Sequence, residues 1–113
     1  MFTGIITHIG TVSEKTDSRL TIQASSDLLN KLKPGVSIAV NGICLTIVFS
    51  NDEIFAADIM PETVVKTDIK YVERGATVNL ELPATPATFL SGHIVQGHID
   101  TIAKILDIKQ QGN

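Results

Sequence analysis

Short runs of alternating apolar and polar residues, each ended by a turn signal, constrain this chain more than any other feature. Arg19-Leu20-Thr21-Ile22-Gln23 puts Leu20 and Ile22 on one face and polar side chains on the other, the period of two that marks a half-buried strand. Val36 to Val40 repeats the pattern with Val36, Ile38 and Val40, and Thr77 to Leu82 repeats it with Val78, Leu80 and Leu82. Ile43 to Phe49 is almost continuously apolar and β-branched, which predicts a strand covered on both faces. Phe2 to Val12, Glu53 to Ile59 and Ile94 to Leu106 are the remaining strand candidates, with about six strands expected in all and the last run long and bent where Gly97 interrupts it. Lys33-Pro34-Gly35, Asn41-Gly42, Ser50-Asn51-Asp52 and Arg74-Gly75 are turn signals between them. Two short helices are expected: Ser26 to Leu32 with Ser26 as its cap, and Pro61 to Thr67 with Pro61 in the first turn. Pro83 to Ser91 reads as a loop, and no segment repeats another. Many short strands at this spacing give an all-β sandwich or barrel, and a barrel is favoured because closure removes exposed edges.

A length of 113 residues holds one domain. Hydrophobic residues make up 43%, yet only four Phe, one Tyr and no Trp are present, so the core must be built from Val, Ile, Leu and Ala. The net charge is −3 and no Lys/Arg run occurs, which argues against nucleic acid or anionic lipid as a partner. A single cysteine excludes an intramolecular disulfide and any multi-cysteine metal site. No apolar stretch reaches the roughly 18 residues of a membrane span. The first residues carry no secretory signal pattern, so a reducing cytoplasmic setting is expected. The polar tail from Lys109 to Asn113 reads as the start of a linker or a frayed end, leaving residues 1–108 for the domain.

Few residues offer chemistry. His93 and His98 are five apart, on opposite faces of a strand or about 140° apart on a helix, and His8 is remote, so no metal site is expected. Cys44 lies within an apolar strand, where the ordinary reading is a small buried hydrophobe. His98 and Asp100 share a strand face in that reading, where the carboxylate would orient the imidazole. Gly92 to His98 holds more Gly and His than a packing strand needs, which suits close approach of a flat ligand. Asp58 to Thr63 places two carboxylates, a thioether and a hydroxyl in six residues, on a turn that could equally be only solvated. The glycines do not form a strand–Gly–helix phosphate loop, so no triphosphate or dinucleotide site is indicated.

Four blocks acquire meaning together: Met1-Phe2-Thr3-Gly4-Ile5, Asn41-Gly42-Ile43-Cys44-Leu45-Thr46, Met60-Pro61-Glu62-Thr63, and Gly92-His93-Ile94-Val95-Gln96-Gly97-His98-Ile99-Asp100. In this order and spacing they resemble the N-terminal half of the riboflavin synthase family, over essentially the whole chain. The resemblance implies a six-stranded antiparallel Greek-key β-barrel with one or two short helices and a shallow pocket for 6,7-dimethyl-8-ribityllumazine. It implies a dismutation in which one lumazine gives a four-carbon unit to another, yielding riboflavin and 5-amino-6-ribitylamino-uracil, with no metal and no cofactor. It places substrate contacts on Gly4, Ile5 and Ile6, on Cys44, Leu45 and Thr46, on Asp58, Ile59, Met60, Pro61, Glu62 and Thr63, and on Gly97, His98 and Ile99. Cys44, Thr46 and His98 would lie near the reacting carbons, His98 in proton transfer and Cys44 as a polarisable contact or the nucleophile.

The same resemblance implies two tandem barrels in a homotrimer, with each active site between barrels of neighbouring subunits. This chain has residues for one. It is therefore expected to bind lumazine or riboflavin with little turnover, and to pair as a homodimer through its apolar surface. A non-catalytic lumazine- or flavin-binding protein of the antenna type is the alternative. A small interaction or nucleic-acid barrel is disfavoured by the acidic charge and the scarcity of stacking aromatics.

Overall fold

A computed structural model describes residues 1–90 and 94–112. Six strands form its frame: β1 (His8–Lys15), β2 (Arg19–Gln23), β3 (Ser37–Val40), β4 (Ile43–Ser50), β5 (Ile54–Asp58) and β6 (Thr77–Glu81). They close into an antiparallel barrel in the order β1-β2-β5-β4-β3-β6, a Greek key in which β5 returns beside β2. Closure is completed by a short β3–β6 ladder, Ala39 opposite Glu81 and Val40 opposite Leu80. An extra residue at Ser13 of β1 and at Val48 of β4 shifts the pairing, and such bulges bend strands enough to close a ring.

The alternation read in β2, β3 and β6 sets the register. Leu20, Ile22, Ile38, Val40, Val78 and Leu80 all point inward and are buried, with Leu45, Ile47, Phe55 and Ala57 from β4 and β5. Phe55 is the one aromatic in this cluster, so the aliphatic core expected from the composition is the one that forms. Helix α1 (Ser26–Leu29) adds Leu28 and Leu29. Helix α2 (Pro61–Lys66) starts on Pro61 and is followed by a 3₁₀ turn, Asp68–Tyr71, that buries Ile69.

Several boundaries differ from expectation, each for a physical reason. α1 is a single turn with Ser25 in the cap position. Beyond it the chain tightens, Lys31 N bonding Leu28 O and Leu32 N bonding Leu29 O, because Pro34 bars the residue before it from continuing a helix. β4 is covered on one face only: Ile43, Leu45 and Ile47 are buried, whereas Cys44 and Thr46 are exposed.

β1 begins at His8 rather than Phe2, because the amides of Thr3 and Gly4 donate to the Glu81 carboxylate instead of to a ladder. The strand expected over Ile94 to Leu106 does not form; residues 94–112 carry no regular structure. Each of the six strands already has two partners, so the ring offers no edge for a seventh. Ile94, Ile99, Ile102, Ile105 and Leu106 consequently stay exposed. Gly92 and His93 of the fourth block, Ser91 at the end of the expected loop, and Asn113 lie outside the described residues.

Leu20 is 0% exposed and Ile9 is 65% exposed. Leu20→Ala is expected to cost about 2–5 kcal/mol in urea unfolding, and Ile9→Ala to stay within about 0.5 kcal/mol of the parent.

Candidate functional site

The floor of the site is the β3–β4 hairpin. Asn41 (φ 49°) and Gly42 (φ 80°) take the positive φ values that a two-residue turn matched to strand twist requires. Asn41 Oδ1 accepts from Asn79 N at 2.9 Å and its Nδ2 donates to Asp68 at 3.3 Å, tying the turn to β6 and to the 3₁₀ turn. From this start the pleat of β4 sends Ile43 and Leu45 inward and Cys44 and Thr46 outward. Cys44 is therefore an exposed free thiol and not a buried hydrophobe.

α2 forms one wall. Glu62 and Lys66, four apart, form an ion pair on its exposed side, and Thr67 Oγ1 donates to Thr63 O at 2.6 Å. The opposite wall is the segment from Gly97 to Asp100. Gly97 N donates to Phe2 O at 2.7 Å. The backbones of Gly97 and Gly4 meet so closely that a Cβ on Gly97 would lie 2.2 Å from Gly4 N. The buried Phe2 ring meets the His98 ring edge-on, centroids 5.2 Å apart. Ile99 covers Gly42, where an added Cβ would stand 2.7 Å from its Cγ1. The two glycines that touch open similar segments, Gly4-Ile5-Ile6-Thr7-His8-Ile9 and Gly97-His98-Ile99-Asp100-Thr101-Ile102. Both read Gly-x-Ile-x-x-Ile, a short repeat that the linear reading missed.

Between these walls lies an open groove of about 360 Å³, lined by Gly42, Ile43, Cys44, Glu62, Thr63, Lys66, Thr67, His98, Ile99 and Asp100. Of the residues expected at the site, it unites Cys44, Glu62, Thr63, His98 and Ile99. Gly4 and Gly97 stand behind its wall, and Thr46 shares the outward face of β4. The others fall elsewhere. Leu45 and Ile59 belong to the core, and Asp58 pairs with Arg19 at 2.8 Å. Met60 and Pro61 open α2, with Met60 exposed. Ile6 is exposed away from the groove lining, and Ile5 lines a separate hollow of about 380 Å³ with Phe89 and Leu82.

Lys66, Thr67 and Asp100 were not anticipated. Helical spacing from Glu62 and Thr63 points to the first two, and Asp100 stands in the fourth block and beside His98 but not among the expected substrate contacts. His98 and Asp100 do share the groove, although on no strand.

The hydrogen bond from Lys66, and then its charge, hold the Glu62 carboxyl below its ordinary 4.5, so it is an acceptor at neutral pH. Away from the groove, hydrogen bonds from His8 and Lys31 lower the Asp27 carboxyl in the same way. Among the described residues no three His, Cys, Asp or Glu side chains cluster as metal ligands, and no helix is long and apolar enough to cross a membrane.

Comparison with known proteins gives a consistent picture. The family model for the lumazine binding domain matches residues 3–83. Riboflavin synthase of Bacillus amyloliquefaciens is 40% identical over 116 residues, covering 100% of this chain and 54% of its own length. That of Saccharomyces cerevisiae is 38% identical over 123 residues, covering 100% of this chain and 52% of its own. The chain thus spans about half the length of the curated relatives it matches. Among solved structures, LumP complexed with 6,7-dimethyl-8-(1'-D-ribityl) lumazine is similar with a TM-score of 0.73 and 28% identity, over 89% of this chain and 58% of that one. LumP complexed with riboflavin gives 0.73 and 29%, over 89% and 56%.

The Glu62–Lys66 pair yields a pH prediction. A lowered folded-state value means that the pair's contribution is complete above Glu62's ordinary 4.5 and is lost as pH falls through the lowered value. In an NMR titration the Glu62 side chain should therefore have its midpoint below 4.5 in the parent and move upward in Lys66→Met.

Proposed function

We propose that this chain, which belongs to the lumazine-binding domain family, is the N-terminal barrel of a riboflavin synthase and holds 6,7-dimethyl-8-ribityllumazine or riboflavin in the groove between β4, α2 and residues 98–100. The observation that carries this reading is convergence: Cys44, Glu62-Thr63 and His98-Ile99, from three blocks far apart in sequence, line one groove. A groove of about 360 Å³ is of the size that small-molecule sites have.

Each lining residue has a part in that reading. Ile99 gives a flat ring an apolar surface. The Glu62 carboxylate and the Thr63 hydroxyl accept or donate hydrogen bonds to ribityl hydroxyls and ring heteroatoms. In the synthase reaction one lumazine loses a proton from its C7 methyl and the other is attacked at C7 by a nucleophile. The pair then combine and fragment into riboflavin and 5-amino-6-ribitylamino-uracil. His98 is assigned the proton transfer and the exposed Cys44 thiol the nucleophile's position, with Thr46 beside it on β4. No cofactor enters this scheme.

The reaction needs two lumazines held face to face, and positioning of that kind supplies much of a catalyst's effect. One barrel presents one such groove, so the chain alone binds ligand with little turnover. Exposed Ile5, Ile9, Phe89, Ile105, Leu106 and Ile108 support self-association as a homodimer, and a two-barrel chain is expected to be a homotrimer. A cytoplasmic setting suits a reduced, exposed Cys44. A second reading, a non-catalytic lumazine- or flavin-binding protein, draws on the likeness to the LumP complexes. Retention of both Cys44 and His98 at the groove supports the synthase instead, since binding alone needs neither a thiol nor an imidazole.

Fluorescence titration with 6,7-dimethyl-8-ribityllumazine and with riboflavin should show saturable binding, and alkylation of Cys44 should slow in proportion to occupancy. No saturation by either compound would end the reading. In a two-barrel protein carrying this domain, turnover unchanged by His98→Ala would remove His98 from proton transfer, and absence of riboflavin formation in the parent would favour the binder.

A further inference from the structure

We propose that Glu81 is a positioning residue for the groove, holding the wall that carries His98 through the N-terminal segment; this deepens the ligand-binding reading above and rests on it for the effect on affinity. Glu81 is only 4% exposed, at the end of β6 opposite Ala39. Among the described residues no basic side chain comes within ion-pair distance of it. A buried carboxylate without a counter-charge is costly unless hydrogen bonds replace its hydration. Here three do: Thr3 N at 2.6 Å and Thr3 Oγ1 at 2.7 Å on one oxygen, and Gly4 N at 3.0 Å on the other. Thr3 Oγ1 in turn accepts from Ile5 N at 3.1 Å, so the clamp fixes three consecutive residues.

What the clamp fixes is in contact with the groove wall. Neither residues 2–5 nor residues 97–100 belong to a strand, so no ladder holds either segment in place. They hold each other: Gly97 N to Phe2 O, Gly97 on the backbone of Thr3 and Gly4, and Phe2 against His98. A shift of Thr3 and Gly4 leaves Gly97 no room to stay where it is, and His98 and Ile99 follow directly. Thr77 and Asn79, at the same parity of β6, are exposed, whereas Glu81 is buried, and a buried acidic side chain at a strand end is the kind of local inconsistency that marks functional sites. Its three hydrogen bonds all go to the segment that seats the wall.

The test is native-state hydrogen exchange of the amides, together with riboflavin titration, on the parent, Glu81→Gln, Thr3→Val and Thr3→Ser. Gln keeps the volume but turns an NH₂ toward a ring of donors. Glu81→Gln is expected to speed exchange at Gly97 N by about tenfold or more and to weaken riboflavin by a similar factor, with β2 and β5 amides nearly unchanged. Thr3→Val, which leaves the carboxylate and both backbone bonds in place, should show a smaller effect of the same pattern, and Thr3→Ser should match the parent. Equal acceleration at Gly97 and in β2 and β5 would make Glu81 merely structural and overturn the proposal. So would parent-like exchange and affinity in both Glu81→Gln and Thr3→Val. If Glu81→Gln fails to fold, Thr3→Val against Thr3→Ser decides the same question. If the parent binds neither riboflavin nor the lumazine while Gly97 is selectively deprotected, the clamp stands and the ligand reading falls.

Discussion

Ring closure governs the rest of this structure. The β3–β6 ladder is short, Ala39 with Glu81 and Val40 with Leu80, yet it gives the last two open strands a partner and so removes every edge from the sheet. Everything outside the ring must then be held by something other than a ladder. The segment before β1 and the segment from residue 94 onward are both in that position. They find each other across the Gly4–Gly97 contact and are anchored to the ring through the carboxylate at the end of β6. The groove is thus a composite: a rigid floor from the hairpin of the barrel, a short helix, and a wall that is backbone laid against backbone.

This division also explains what could be read from the sequence. Leu20 and Ile22, or Val78 and Leu80, declare their face through simple alternation, because one side of each strand meets the core and the other meets water. Asn41-Gly42 declares its hairpin because few residue pairs accept two positive φ values. Cys44 was harder. An almost unbroken apolar run hides the inside–outside pattern, and only the strict alternation of β4 shows that Ile43 and Leu45 are core while Cys44 is not. Ile94 to Leu106 misled for the opposite reason. Its β-branched residues have strand propensity, but propensity cannot say whether a partner strand is available.

At the site, the resemblance block that falls on β4 is divided by the pleat. Cys44 and Leu45, adjacent on β4, point to opposite faces, so Leu45 lies in the core while Cys44 reaches the groove. Ile59, just before α2, went the same way. Lys66 and Thr67 came in because a helix brings residues three and four positions on to the same side, a relation that a contiguous motif does not display. Glu81 was invisible as a site residue, since in sequence it is one more polar position in an alternating strand. Only its burial and its three donors set it apart.

The hairpin at the groove floor has a consequence for chemical ageing. Asparagine followed by glycine is the pair most prone to cyclise, because the unhindered glycine nitrogen can attack the side-chain carbonyl, and reopening of the ring leaves an acid or inserts a methylene into the backbone. In this turn the Asn41 amide is held at both ends, its oxygen by Asn79 N and its nitrogen by Asp68. An amide held in this way is not free to swing onto Gly42. The bonds that fix the shape of the floor therefore also set its chemical lifetime, and loosening the 3₁₀ turn that carries Asp68 would shorten it with no change in the barrel itself.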